Sequence, residues 1–402
     1  MEREYKKSDQ SFLRLYNKKK LLNILRERGV LSRVELAEIS QLDRKTITNI
    51  VNEMLEDGQI VRQEMRQGSF GRPREMLTRN ADYRRSVGID VGGTHITVVV
   101  LDFMGNLLSN VPMDLEDNGE PDEVLALCDD ALKTALERAD LDMESIEGIG
   151  VSFPGHIDPT TGRPALAESM AKWQHLSVPE LFSERYGKPV QVGDCSMLMA
   201  MAELWFGKGR GCKNFIVFDL GFGIGCGIVI NGSIFAGCKG KAGEIGHTIV
   251  QVNGPTCKCG RRGCIESLAS GWALAKRGQE LAQTDPSGIL AGLSKGGHGV
   301  SSKEVAKAAA AGDRDCRALL TQAGETIGIG VANAMSLFNP MRVIIGGRLI
   351  TDNEIMLGQI KQTIREKTID VIYNDAVITV SKLGHLASAM GAAAVCFERY
   401  YV

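Results

Sequence analysis

Apolar residues recur with a helical period through the first 60 residues of the chain. Phe12, Leu13, Leu15, Leu21, Leu22, Ile24 and Leu25 mark a first amphipathic helix, stopped by Gly29. Ser32 begins a second, and Glu35 three residues later completes an S-x-x-E capping box. Val34, Leu36, Ala37 and Ile39 are expected to face inward. After a break at Ser40–Leu42, Asp43 caps a third helix running from about Arg44 to Asp57. There Ile47, Ile50, Val51, Met54 and Leu55 fall at i, i+3, i+4, i+7 and i+8, and Gly58 ends the helix. The period then changes to two. Ile60–Glu64 and Glu75–Thr78 read as strands joined by Gly-Ser-Phe-Gly-Arg-Pro.

A helix, a helix–turn–helix and a hairpin make the winged-helix layout, whose second turn helix enters the DNA major groove. The polar face of the third helix carries Arg44, Lys45, Thr46, Thr48, Asn49 and Asn52, groups that reach phosphates and base edges. Arg72 at the hairpin tip is placed to probe a minor groove. The same periodicity suits a three-helix protein-interaction domain. Charge separates the two readings. Residues 1–85 hold 19 Lys and Arg against 13 Asp and Glu, net +6, and the remainder holds 28 against 36, net −8. A basic head on an acidic body matches the electrostatic demand of DNA phosphates.

From Ser86 the pattern turns to strands and glycines. Ser86–Phe103 reads as strand, tight turn, strand, with Asp90, Gly92, Gly93 and Thr94 in the turn. The turn's backbone N–H groups are read as free to cradle phosphate, and its carboxylate as able to hold a metal or a water. Phe215–Phe235 repeats the arrangement around Asp219, and Gly346–Gly347 follow the apolar strand Val343–Ile345. A glycine turn alone is weak, since hairpins use the same residues. Two such halves predict a duplicated α/β fold clasping a ligand between lobes. No G-x-G-x-x-G opens a helix after a strand, so a dinucleotide fold is excluded.

The 402 residues supply two or three domains. No run approaches the length of a membrane span, and Met1–Gln10 has no apolar core of a signal peptide. A cytoplasmic location with no membrane partner is therefore expected. Of ten cysteines, Cys128, Cys195, Cys226, Cys316 and Cys396 sit among apolar residues as small hydrophobes. Cys257, Cys259 and Cys264 cluster instead, and His247 lies just upstream in Gly243-Glu-Ile-Gly-His247. One imidazole and three thiolates make a complete tetrahedral zinc set, with no coordination position left for catalysis. Glu244 and Glu266 flank this loop, where they read either as binders of sugar hydroxyls or as solvated surface acids. Asp194 ends the strand Pro189–Val192 and opens a helix, as a cap or as a general base toward a hydroxyl.

Together, Asp90-x-Gly-Gly-Thr94, the second glycine turn, E-x-G-H, C-x-C-G-x-x-G-C-x-E and Gly346–Gly347 resemble the ROK family of repressors, open reading frames and kinases. With the winged helix in front, the chain resembles its repressor branch, of the xylose and N-acetylglucosamine repressor type. The resemblance implies two actin-like (RNase H-like) α/β lobes behind an α+β winged helix-turn-helix. The units are then 1–80, 85–200 with a C-terminal helix 385–402 returning to it, and 201–384. It implies structural zinc on His247, Cys257, Cys259 and Cys264. It places Asp194, Glu244, His247 and Glu266 on a sugar or sugar phosphate, and Asp90, Gly92, Gly93 and Thr94 in the first phosphate motif. Operator DNA and a homodimer or dimer of dimers are the implied partners. Two departures argue against phosphoryl transfer and ATP: Gly193 stands where the family often has Asn, and Phe222 stands where the second phosphate turn has Thr. Asp194 is then a vestigial or weak base, although an active sugar kinase with a DNA-binding head remains the alternative.

Overall fold

The computed structural model describes residues 10–63, 75–115, 119–158, 160–164, 168–294 and 299–401. Its first 80 residues form α1 (Gln10–Arg28), β1 (Leu31–Ser32), α2 (Arg33–Ser40), α3 (Arg44–Glu56), β2 (Ile60–Gln63) and β3 (Met76–Arg79). The capping box is present: Ser32 accepts from the Glu35 N–H, and the Glu35 carboxylate accepts from the Ser32 N–H. β3 lies between β1 and β2, antiparallel to both. The hairpin tip, and Arg72 with it, lies outside the described residues.

Burial corrects two of the apolar stripes. Leu21, Leu22 and Leu25 are buried, whereas Phe12, Leu13 and Leu15 are exposed. Arg14, in the second turn of α1, still pairs with Glu53 of α3, so the exposed apolar residues lie on the other faces of that turn. Of the apolar residues of α2 only Leu36 is fully inside, and Val34 and Ile39 are exposed. Eight residues turn only one narrow stripe toward α1 and α3.

The body contains two five-stranded sheets of one topology. The first is β4 (Arg85–Val91), β5 (His95–Asp102), β6 (Leu107–Asp114), β7 (Ile146–Phe153) and β8 (Val190–Asp194), in order β6-β5-β4-β7-β8. The second is β9 (Phe215–Leu220), β10 (Ile224–Ile230), β11 (Ser233–Ile234), β12 (Arg342–Gly346) and β13 (Val377–Val380), in order β11-β10-β9-β12-β13. In each, three strands meander antiparallel, and the last two join the other side of the first in parallel. This repeat is the actin-like duplication. Each glycine turn is the first hairpin of its sheet, so the two turns occupy equivalent places.

Helices α4 (Pro121–Ala139) and α5 (Val178–Tyr186) belong with the first sheet. α7 (Ile265–Ala269), α8 (Gly271–Thr284), α9 (Ile289–Leu293), α10 (Ser302–Ala310), α11 (Arg314–Phe338), α12 (Glu354–Lys367) and α13 (Asp370–Asp375) pack with the second. Between the sheets lie α6 (Cys195–Trp205) and the returning α14 (Ala387–Val395), which pack on each other. α14 is seated on β4 and β7 through glycines: a Cβ at Gly88 would lie 1.9 Å from the Ala389 carbonyl, and one at Gly150 1.7 Å from that of Ala392.

The head is not a tethered appendage. Its core of Leu21, Leu22, Leu25, Ile47, Ile50 and Leu77 continues into Phe103, Met201, Trp205, Phe397 and Tyr401 of the body. A short 3-10 turn, Ala81–Tyr83, replaces a linker, and Tyr83 packs edge-on against Phe103 and Tyr400.

Candidate functional site

Asp43 organises the start of α3. Its Oδ1 accepts from the N–H groups of Lys45 and Thr46 at 3.0 and 2.9 Å, and the Thr46 hydroxyl donates to Oδ2. That hydroxyl, foremost, holds the Asp43 carboxyl below the ordinary carboxylate range. Arg44, Lys45, Thr48 and Asn49 are exposed on the face opposite Ile47, Ile50, Val51 and Met54. The Thr46 and Thr48 hydroxyl protons are spent locally, on Asp43 and on the Arg44 carbonyl. Arg33, absent from the sequence expectations, ties the unit together. It donates to Glu75 at 2.7 Å, to the Thr48 carbonyl at 3.2 Å and to Asn52 at 2.9 Å. Glu75 also takes a bond from Arg62, and the two guanidiniums, Arg33 foremost, hold its carboxyl down. The base of the wing is thereby fixed against α3.

The head meets the body through two buried arginines. Arg79 donates to the Phe103 carbonyl and the Tyr401 hydroxyl, both at 3.0 Å, and to the Met104 carbonyl at 3.2 Å. The Arg26 guanidinium lies 4.9 Å over the Trp205 ring and 5.7 Å over that of Tyr401. Trp205 ends α6, and Asp194 begins it.

Asp194 fulfils the first of its two sequence readings, the cap of α6. As N-cap, its Oδ1 accepts from Ser196 at 2.9 Å and Met197 at 3.2 Å. Burial at the floor of the interlobe cleft nevertheless pushes its carboxyl up to about 6, with the Glu244 charge adding to the rise. Gly243 (φ +96°) brings Glu244 there, because a Cβ would lie 1.9 Å from the Cys226 carbonyl. Glu266 accepts from the Ile224 N–H at 3.1 Å and the Trp272 indole at 3.3 Å, so it is a held carboxylate and not a solvated surface acid.

The ligand atoms of His247, Cys257, Cys259 and Cys264 all lie within 4.8 Å of one another. Tetrahedral Zn–S bonds of about 2.3 Å require roughly 3.8 Å between sulfurs. Cys259 and Cys264 sulfurs are 3.8 Å apart, and His247 Nδ1 is 3.7 Å from the Cys257 sulfur. The cluster fits a metal. Its geometry also reconciles the two roles given to His247: Nδ1 faces the sulfurs, while Nε2 lies 3.8 Å from Glu244.

The glycine turns differ from expectation. Gly92 donates its N–H to the His95 carbonyl at 2.8 Å, and Gly221 donates to the Gly223 carbonyl at 3.0 Å. The first hairpin thus consumes the Gly92 N–H, one of the groups expected to be free for phosphate. Asp90 is equally engaged: Ser152 donates to Oδ1 at 2.7 Å, and the His95 Nε2 lies 3.1 Å from Oδ2. Thr94 is exposed beside the buried Gly92 and Gly93. Across the cleft, burial followed by the charges of Asp90 and Asp194 pushes Asp219 up to about 7. Phe222 lies 4.6 Å beneath the Lys258 ammonium, which also caps Trp272.

A ROK family model matches residues 86–399, and a winged helix-turn-helix DNA-binding model matches residues 14–61. The chain belongs to the ROK family. It is similar to a xylose repressor of Caldicellulosiruptor bescii, 28% identical over 385 residues that cover 96% of each chain. A glucokinase of Thermotoga maritima is 31% identical over 318 residues, covering 78% of this chain and 97% of that one. Among solved structures, a ROK family transcriptional regulator described as a homologue of the E. coli MLC protein matches with a TM-score of 0.78 at 26% identity, covering 97% of both chains.

Within this ROK chain the two departures acquire physical reasons. A side chain at Gly193 would start 2.9 Å from Leu198, so α6 itself occupies that space. Phe222 is held by Lys258, which lies between two of the clustered cysteines. Ser152, His95, Arg348 and His156 were not foreseen. His95 directly follows the first glycine turn and Arg348 directly follows Gly346–Gly347, a basic residue after a glycine pair being the available signal. Ser152 carries no local signal, because strand pairing brings it to Asp90, and the buried His156 lies in the turn after β7, 3.3 Å from the Lys239 carbonyl.

Proposed function

We propose that this ROK protein is a sequence-specific transcriptional repressor of sugar-metabolism genes, and that a sugar or sugar phosphate in its cleft lowers operator affinity. The supporting observation is the seating of the head on the body: α6 runs from the cleft carboxylate Asp194 to Trp205 beneath Arg26 of α1. A similar chain over nearly its whole length carries the name xylose repressor. In this reading Arg44, Lys45 and Asn49 contact DNA, with Thr46 and Thr48 shaping the helix start and Arg72 reaching from the wing. Asp194, Glu244, His247 and Glu266 bind sugar hydroxyls. Zinc on His247, Cys257, Cys259 and Cys264 is structural, supplying a rigid loop from which Glu244 and Glu266 are presented.

The moving units are 1–80, 85–200 with 385–402, and 201–384. A ligand that changes the tilt of α6 changes how Trp205 meets Arg26, and so the spacing of two heads in a dimer. Half-sites lie about 34–36 Å apart or a multiple of it. Coupling of roughly 1–3 kcal/mol, or 5–150-fold in affinity, suffices for a switch. The test is fluorescence anisotropy of operator DNA at fixed salt with a panel of sugars and sugar phosphates, preceded by a thermal-shift screen. A ligand that binds the cleft and leaves operator affinity unchanged defeats the reading for that ligand.

One observation favours sugar phosphorylation instead. An Asp194 carboxyl near 6 is poised for base chemistry, and the glucokinase relative covers the same body. Asp90 and Phe222 oppose it, one by being bonded internally and the other by bulk where a hydroxyl donor belongs. Robust ADP release with a sugar, abolished by Asp194→Ala, would reverse that preference.

A further inference from the structure

Arg348 follows β12 in the second lobe, yet its side chain ends in the first. Gly347 launches it from a left-handed turn (φ +99°) pressed so closely on β9 that a Cβ would lie 2.3 Å from the Leu220 carbonyl. The guanidinium Nη2 then donates to the Thr97 hydroxyl of β5 at 3.3 Å. Thr97 is fully buried. Asp90 and Asp219, one from each glycine turn, lie close enough to act on Arg348 electrostatically, as does Asp114. His95 and His385 crowd the same place.

We propose that Arg348 is a clasp across the nucleotide side of the cleft, supplying from within the chain the positive charge that a metal-bound nucleotide phosphate would bring. The proposal rests on assigning the two glycine turns to the phosphate side of a ROK body. Its physical basis is charge balance. A buried Asp90 and a half-buried Asp219 facing each other across a cleft repel, and a closed cleft needs a cation between them. A phosphotransferase obtains that cation with its substrate and opens again when product leaves. Arg348 is covalently fixed and never leaves. A guanidinium stays charged even when partly buried, which suits it to a permanent counter-ion. Asp90 is also withdrawn from metal binding, since Ser152 and His95 already engage both its oxygens. The consequence is specificity: sugars enter a cleft whose nucleotide side is shut, and effector binding does not wait on nucleotide.

Hydrogen exchange of the intact protein tests this directly. In Arg348→Met, amides 91–97 and 219–224 should both exchange roughly tenfold faster or more, the loss expected for one charge-assisted hydrogen bond. Arg348→Lys should fall between, and Thr97→Val should accelerate both segments more weakly. The wild-type protein should show no binding of magnesium ATP by calorimetry. Unchanged exchange in either segment of a folded Arg348→Met protein, or magnesium ATP binding by the wild type, overturns the proposal. If Arg348→Met does not fold, Thr97→Val alone decides by the same two segments. Sugar and operator binding are measured separately, and their absence would count against the repressor reading and not against the clasp.

Discussion

The two sides of the cleft have been built in opposite ways. On the proposed sugar side, Asp194 and Glu266 are held by backbone N–H groups, and Glu244, about half exposed, lies beside His247. On the proposed nucleotide side, Ser152 and His95 engage Asp90, Lys258 lies over Phe222, and Arg348 partly offsets the charges acting on Asp219. One side presents polar groups and the other consumes its own. In the proposed reading, the nucleotide side carries its own counter-charges and only the sugar side is left for a ligand.

The largest expected perturbation is removal of the proposed metal, because the proposed sugar side stands on that loop. One zinc per chain is expected from elemental analysis of purified protein. Structural zinc in small peptides contributes about 10–16 kcal/mol to folding. Cys259→Ser, or exhaustive chelation, should lower the melting temperature and abolish sugar binding. It should also release Lys258 from Phe222, so the contrast between the sides blurs. A folded wild-type sample with no bound metal and intact sugar binding would break the account of the sugar side.

Glu244→Ala and Glu266→Ala divide the sides cleanly. Both should leave operator affinity intact and erase the sugar response, which in a typical allosteric protein amounts to about 5–150-fold. Persistence of the response would move the ligand site elsewhere. The Arg44→Ala/Lys45→Ala double variant does the converse: operator affinity should fall by about 1–3 kcal/mol with sugar binding untouched. Each cation withdrawn from a DNA phosphate should reduce the salt slope by about one. Unaltered DNA binding would mean that another surface reads the operator.

The sequence showed the elements whose signals are local. The capping box at Ser32, the Asp43 cap, both glycine hairpins and the cysteine spacing all lie within a few residues of the features they specify. What it hid depends on pairing over long distances. Ser152 reaches Asp90 only because β7 lies beside β4, and Arg348 meets Thr97 only because the lobes close. Phe12, Leu13 and Leu15 lie in the helix their period predicts yet stay exposed, because periodicity tells which face is apolar but not whether anything lies opposite it. The head's union with the body through Arg26, Arg79 and Tyr401 joins residues more than 300 positions apart, beyond any window of pattern reading.

The smallest expected effect is also the most specific to the comparison. Asp219 binds its proton more tightly in the folded chain, near 7, than an ordinary carboxyl near 3.8. Between those values the native state holds more protons than the unfolded state, so this group makes stability fall as pH rises from about 4 to about 7. Above 7 the penalty is complete and the slope from this group vanishes. Asp194, raised to about 6, acts in the same direction on the sugar side. Asp43, Glu75 and Asp129 are held low, so their contributions are lost only as the solution becomes strongly acid. Asp219→Asn keeps the shape and removes the charge. Its melting temperature should exceed that of the wild type at about pH 8, and the two should converge toward about pH 5. Each pK unit retained corresponds to about 1.4 kcal/mol. The gap should shrink when a sugar fills the other side only if the two sides move together. Parallel melting curves for Asp219→Asn and wild type across this range would show that burial leaves no net penalty on the Asp219 charge. The Arg348 clasp would then offset the cost of burial as well as the repulsion between the two aspartates.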